Sequence, residues 1–226
     1  MDPSRVQKHF DALAETYDRG KTHAWYYYRV LKSIAAAHVP LGRVVLEVGC
    51  GTGDLLVAVK PKYGVGIDIS TRMIELAKDK YRAEPYVHFK ESSLGAYQPE
   101  IAFDYVLFFD VIEHLENQKE DLMHLGAIMR SGTTLLASMA NPLWEPILML
   151  LEKFHLKMPE GPHHRIPRKE FLALLGASGF SLVHEGRKLL IPAYIPWFSP
   201  AINRFAERLP LLRELCMVQY FICKKR

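Results

Sequence analysis

Cysteine is scarce in this 226-residue chain: Cys50, Cys216 and Cys223 are too few and too irregularly spaced for a disulfide framework or a metal knuckle. A reducing, cytoplasmic setting is expected. No uninterrupted apolar run reaches the length of a membrane-spanning helix. The opening residues Met1-Asp2-Pro3-Ser4-Arg5 lead into a polar segment without the apolar stretch of a secretion signal. Internal repeats, low-complexity tracts and dividing linkers are missing as well. That leaves one domain over residues 1–226, long enough to bury a sizeable core. Net charge is small, +4, but uneven. From Lys153 to Arg226, 13 Lys or Arg stand against 5 Glu and no Asp, a local +8, whereas the first 152 residues carry 16 against 20, or −4. A basic C-terminal third suits an acidic partner, an anionic membrane surface, or a solvated face that offsets an acidic one.

What is present is an alternation of short β-branched runs with amphipathic segments, the pattern of a mostly parallel sheet covered on both faces. Ser4-x-x-Gln7 reads as a capping box before a helix whose apolar positions are Val6, Phe10, Leu13 and Tyr17. A second helix follows through Tyr27, Val30, Leu31, Ile34 and His38 and stops at Pro40, so residues 1–40 form a helical cap. The strands expected are Arg43–Val48, Tyr63–Ile69, Tyr86–Lys90, Phe103–Phe109, Thr133–Ser138, Phe180–Arg187 and Met217–Lys224. Helices are expected near Asp54–Lys60, Thr71–Lys80, Gln118–Met129 and Pro167–Ala177. The last two strands are joined by a Pro-rich apolar segment and not by a helical crossover, so the last strand is expected to run antiparallel. The fold class expected is α/β: a doubly wound, mostly parallel seven-stranded sheet with N-terminal helices and an apolar insertion before the last strand.

The buried strand Val44-Val45-Leu46-Glu47-Val48 runs into Gly49-x-Gly51-x-Gly53. Glycines there allow a tight turn and close approach of a ligand to the backbone. Asp68 follows 19 residues after Gly49, at the end of the next strand, where a carboxylate can accept both hydroxyls of a ribose. Nicotinamide-dependent dehydrogenases share that much. Three details favour another ligand: the third glycine of the dinucleotide spacing is missing, Glu47 stands two residues before the first glycine, and the turn lies behind two helices.

With these residues the chain resembles the class I S-adenosylmethionine (SAM)-dependent methyltransferases, in particular their quinone, small-molecule and lipid branch. Residues 45–53 look like that family's first motif, Gly64-Val65-Gly66-Ile67-Asp68-Ile69-Ser70 like its second, and Phe103–Leu107 with Asp110-Val111-Ile112-Glu113-His114-Leu115 like its fourth-strand motif. The resemblance implies a Rossmann-like methyltransferase fold and SAM as cofactor. Glu47 and the backbone of Gly49, Cys50, Gly51 and Gly53 would hold the methionine part, and Asp68 the ribose. Ile69 and Met73 would flank the adenine, Ser92 or Ser93 would face its edge, and Tyr17 would close over the donor. Asp110 is counted with this cofactor set.

Methyl transfer from a sulfonium needs positioning and a dry pocket, and a base only where the acceptor must lose a proton. His114 is the first candidate, read as opening the helix after the fourth strand, with Asp110, Glu113 and His114 on one helical face. Related quinone O-methyltransferases carry a magnesium-binding Glu-x-x-Glu-His there. Here Asp110 reads instead as a helix cap with Glu113 completing a capping box, and no metal is expected. His163 and His164, with Arg165, sit on a Gly/Pro-framed loop after a helical insertion at about 144–156, and are candidates as base or acceptor-positioning groups. Residues 141–166 and 189–215 are read as acceptor-side insertions. The second carries Tyr194, Trp197 and Phe198 before a helix with Ile202, Phe205, Ala206 and Leu209 on its apolar face, the material of a greasy acceptor pocket or a membrane contact. The partner expected is a small, apolar or lipid-like acceptor. Nucleic acid is not expected, because the fourth strand ends in Phe109-Asp110-Val111-Ile112 and not in an Asn-Pro-Pro-Tyr type of sequence. Nucleic-acid or protein methylation and a non-catalytic SAM-binding module remain the alternatives.

Overall fold

The computed structural model describes residues 3–226. The chain opens with α1 (Pro3–His23) and α2 (Trp25–His38), then alternates β1 (Val44–Val48), α3 (Asp54–Ala58), β2 (Tyr63–Asp68), α4 (Thr71–Lys80), β3 (Val87–Glu91), β4 (Tyr105–Phe109), α5 (Gln118–Ile128) and β5 (Thr134–Ala140). It continues with α6 (Glu145–Lys153), α7 (Arg168–Ala177), β6 (Phe180–Lys188), α8 (Phe198–Ala206), α9 (Pro210–Glu214) and β7 (Val218–Lys225). Ser4 is the second described residue of α1, and the Gln7 side chain donates to the Thr71 hydroxyl on α4.

The strands form one sheet in the order β3-β2-β1-β4-β5-β7-β6. The first five pair in parallel, and β7 runs antiparallel to both β5 and β6. Thus the last strand is reversed, as expected, but it is not an edge strand: it slots between β5 and β6, and β6 forms the edge. Strand residues alternate between two cores because successive side chains point to opposite faces. Leu46, Val106, Phe108, Leu135 and Phe221 face α5 and α7. Val45, Leu107, Leu136, Val218 and Tyr220 face α2, α3 and α4. This two-sided burial explains the near-continuous apolar character of β1, β4 and β5. The strand order reverses between β1 and β4, and the crevice at their carboxyl ends is where doubly wound sheets take ligands.

Three expectations fail around β4. The residues after Phe109 do not form a long helix: a single 3-10 turn, Ile112–His114, stands there, and α5 begins only at Gln118 with the Asn117 side chain as its cap. His114 therefore closes a short turn and does not open a helix. Asp110 is no cap, since it sits before that turn in the left-handed region (φ 54°). Asp110, Glu113 and His114 consequently do not share a helical face. In α8 the inward residues are Ser199, Asn203 and Ala206, while Phe205 is exposed. Polar Asn203 belongs inside because its amide satisfies the irregular backbone beside it, accepting from Ile191 N–H and donating to Ile191 C=O and the Tyr26 hydroxyl.

Candidate functional site

The glycine turn leaves β1 with Gly49, Gly51 and Gly53 all at positive φ (67°, 50° and 83°), which side chains rarely tolerate. Its amides are largely spent within the protein: Cys50 N–H donates to Ile67 C=O, Gly53 N–H to Cys50 C=O, and Gly51 N–H to Asp68 Oδ2 at 2.8 Å. Asp68 Oδ1 takes Ser70 N–H at 2.9 Å. The carboxylate can accept more bonds than these, which leaves capacity for a ribose hydroxyl. Burial raises the Asp68 carboxyl above its ordinary value. Glu47 lies beneath the turn, 4% exposed, where Oε2 accepts Leu56 N–H at the start of α3 and burial pushes its carboxyl well up. The Cys50 side chain is buried against Gly66.

α1 closes over this turn. The Tyr17 ring packs on Gly51 so closely that a Cβ there would lie 3.3 Å from it. Tyr28 together with burial raises the Tyr17 hydroxyl well above its ordinary value. Lys21 reaches from α1 to the Thr52 hydroxyl (2.6 Å), to Asp18 (2.7 Å) and to Asp54. Thr52 donates to Asp18, and Lys80 joins Asp18 and Asp54 at 2.7 Å each. The lysines hold the Asp54 carboxyl well below the usual carboxylate range against its burial. At the next element Asp11 accepts from the Ser70 hydroxyl (2.6 Å) and from Arg72 N–H, tying α1 to the start of α4. The sequence reading found Tyr17 but not this latch, whose members are ordinary surface residue types scattered over 70 positions.

The adenine-side candidates lie along the same edge. Ser92 N–H donates to Asp68 C=O, its hydroxyl to Ser93 C=O, and the Ser93 hydroxyl accepts Ala96 N–H. Ile69 is half-buried, and Met73 is buried in the first turn of α4.

Asp110 stands at the carboxyl end of β4. The Tyr27 hydroxyl donates to Oδ2 and the Ser138 hydroxyl to Oδ1 at 2.7 Å, so α2, β4 and β5 meet on one carboxylate. Val111 packs against Gly49, where a Cβ would come within 2.5 Å of its side chain. Asp110 is thus held beside the glycine turn. The neighbouring Glu113 is buried, its Oε2 has no hydrogen-bond partner among the described residues, and burial together with Asp110 pushes its carboxyl up to about 8.

The three histidines have different fates. His114 Nδ1 donates to Pro162 C=O at 2.9 Å, and burial depresses it to about 4, so the ring is neutral with its lone pair on Nε2. Its ring sits edge-on to Phe10 at 5.3 Å. His163 donates from both nitrogens, to Gly161 C=O and Glu145, each at 2.9 Å, and this pairing raises its pKa against burial. Both ring nitrogens are thus engaged by the loop and by α6. His164 is exposed and enters the site only through its backbone, N–H donating to Glu113 C=O at 2.7 Å. Arg165, named with the two histidines of this loop, is its buried pin: it pairs with Glu145 and Glu160 and approaches Glu113 at 3.6 Å.

A reversed seventh strand in a doubly wound sheet, with a glycine turn after β1 and a ribose-competent acid after β2, defines the class I methyltransferase architecture. A family model described as a methyltransferase domain matches residues 20–185. The chain belongs to this family of SAM-dependent enzymes. It is 31% identical over 117 residues to an uncharacterized methyltransferase of Mycobacterium tuberculosis, covering 48% of this chain and 59% of that one. It is 26% identical over 143 residues to the demethylmenaquinone methyltransferase of Symbiobacterium thermophilum, covering 56% and 55%. The chain thus spans between half and three-fifths of the length of these relatives. The fold matches the magnesium protoporphyrin IX methyltransferase of Synechocystis PCC 6803, solved with bound SAH, at a TM-score of 0.70 and 18% identity over 100% of both chains.

Proposed function

We propose that the chain transfers the methyl group of SAM to a small acceptor that is apolar or lipid-like, in a cytoplasmic setting. The observation that carries the cofactor half is the state of the glycine turn. With the N–H groups of residues 50, 51, 53 and 56 already taken, and Glu47 and Asp54 at the helix start, the turn is a poor cradle for a pyrophosphate. Its carbonyls and acids suit a cationic ligand end, such as the ammonium of a methionine. Asp68 would hold the ribose, Ile69, Met73 and Ser92 or Ser93 the adenine, and Tyr17 would cover the donor. SAM supplies a methyl group already activated on a sulfonium. The chain's own task is therefore to align the acceptor and exclude water, which the latch from α1 and the packed Tyr27–Asp110–Ser138 contact accomplish.

On the acceptor side His114 is the residue proposed to touch the acceptor. Its neutral ring and fixed tautomer let Nε2 accept a hydrogen bond from a hydroxyl and orient it. A base this weak suits an acceptor that gives up its proton readily, such as a phenol or quinol. His163 and His164 then serve the loop, not the chemistry. The apolar reading of the acceptor is supported by the greasy surroundings of Tyr27, which packs with Trp144 on Ala140, Leu148 and Met217, and by the names of similar proteins that act on demethylmenaquinone or a magnesium porphyrin. The test is a transfer screen with methyl-labelled SAM against quinols, phenols and lipid head groups. The proposal expects label in an apolar hydroxylated acceptor, with His114→Ala lowering kcat about 100-fold, within the usual range for a general acid–base group, and leaving SAM affinity unchanged. Label only in polar, water-soluble acceptors, or an unchanged kcat in the variant, overturns it.

A further inference from the structure

Two segments that are far apart in sequence meet on one side of the molecule. The Trp144 indole N–H donates to Leu215 C=O at 2.8 Å, and the Asn141 amide donates to Glu214 C=O (2.8 Å) and Cys216 C=O (3.0 Å). These bonds bring α6 against the end of the 189–215 segment. Both segments turn large apolar side chains to solvent: Leu143, Met149 and Phe154 around α6, and Phe205, Leu211 and Trp197 on the other, the last two 85% and 91% exposed. Trp197 is not a dangling side chain. Its backbone is fixed at φ 66°, and the buried Ser199 next to it accepts Ile195 N–H and donates to Ala193 C=O. A rigidly presented tryptophan in a conformation that tryptophan rarely adopts marks a surface with a use.

The charges on the same segment are one-sided. Its two acids are neutralised by β6, Glu207 by Lys188 and Glu214 by Arg187. Arg204, Arg208 and Arg213 form no ion pair among the described residues. Apolar anchors ringed by uncompensated arginines complement an anionic lipid interface, where the arginines meet phosphate and the side chains enter the acyl boundary. The face is also continuous with the site. Tyr194 packs edge-on against Trp25 and Tyr26 at 4.7 and 5.2 Å, and Asn203 bonds Tyr26, on the same helix whose Tyr27 holds Asp110.

We propose that the face formed by α6 and residues 194–215 docks on an anionic phospholipid bilayer and receives the acceptor from it. The proposal rests on the lipid-like acceptor reading above, but docking itself requires neither cofactor nor turnover. The experiment is co-sedimentation of the full chain with vesicles of phosphatidylcholine alone and of phosphatidylcholine with phosphatidylglycerol, at low and high salt. Binding is expected only with phosphatidylglycerol and is expected to weaken with salt. Replacing Arg204, Arg208 and Arg213 by Gln should reduce it about fivefold per arginine at low salt. Trp197→Ala with Leu211→Ser should reduce it at least tenfold. Because these side chains lie on the surface, unchanged melting curves keep the variants interpretable. Equal binding to both vesicle types, no binding, or a dimer in analytical ultracentrifugation that the Trp197 and Leu211 changes abolish would overturn the proposal, the last outcome assigning the face to a second copy. Vesicle binding without methyl transfer would count against the proposed reaction alone, and transfer without vesicle binding against the docking alone.

Discussion

Glu113 is a buried carboxyl, 5% exposed. Its carboxyl ordinarily titrates at 4.5 and here at about 8, with Asp110 and Glu160 raising it and Arg165 only partly countering burial. The folded chain therefore holds a proton that the unfolded chain releases near 4.5. Stability from this group is fully present below that pH and falls as pH rises toward 8. His163, raised above its ordinary value by Glu145, loses its favourable charge in the same direction. His114 acts oppositely but only between about 4 and its ordinary value of 6.5, so it does not contribute in the window from about pH 6.5 upward. Glu113→Gln should accordingly flatten the pH dependence: between about pH 6.5 and 8.5 the wild type should lose several degrees more in Tm than the variant. Parallel losses in the two proteins would mean that Glu113 is not held protonated. The sequence singled out Glu113 only as a partner of Asp110 and His114 on a helical face; its raised carboxyl arises from burial and from Asp110 nearby, and burial is not carried by a local pattern.

Among the elements, α1 is the one whose position depends on polar contacts more than on core. Lys21, itself 12% exposed at the side chain, serves Asp18 and Asp54 at once, and removing it leaves Lys80 to neutralise both acids. Lys21→Met should cost about 1–2 kcal/mol, less than a fully buried pair because Asp18 is half exposed. Amide exchange should rise along α1 while β1 and β4 stay protected. Uniform acceleration across the chain would mean that α1 is not a separately latched unit. Element identity was largely legible in the sequence, from the periodicity of the apolar positions and from the glycine turn. What failed was local: Asp110 looked like a cap because Asp, Glu and His fall at helical spacing, yet a left-handed Asp110 and a single 3-10 turn let Tyr27 and Ser138 reach its carboxylate. Asn203 was placed on the polar face of α8 with Arg204 by its spacing, but the irregular chain at Ile191 needed its amide inside.

For the whole molecule, the doubly wound class and the reversed last strand follow from the order of periodic segments. The slot of β7 between β5 and β6 does not, since strand order depends on where each crossover lands and not on the strand's own residues. That arrangement brings the carboxyl ends of β1, β2 and β4 to one edge of the sheet, with the glycine turn, Asp68 and Asp110 there and Tyr17 packed on Gly51. The central claim is that this edge is built for SAM and not for a dinucleotide. Isothermal titration of the full chain with SAM, with S-adenosylhomocysteine and with NAD tests it most directly, with Asp68→Asn as the matched variant. The account predicts binding of SAM and S-adenosylhomocysteine, no heat from NAD, and a loss of about 2 kcal/mol in the variant, the scale of a hydrogen bond to a charged group. Tight NAD binding, or SAM affinity indifferent to Asp68, would contradict it.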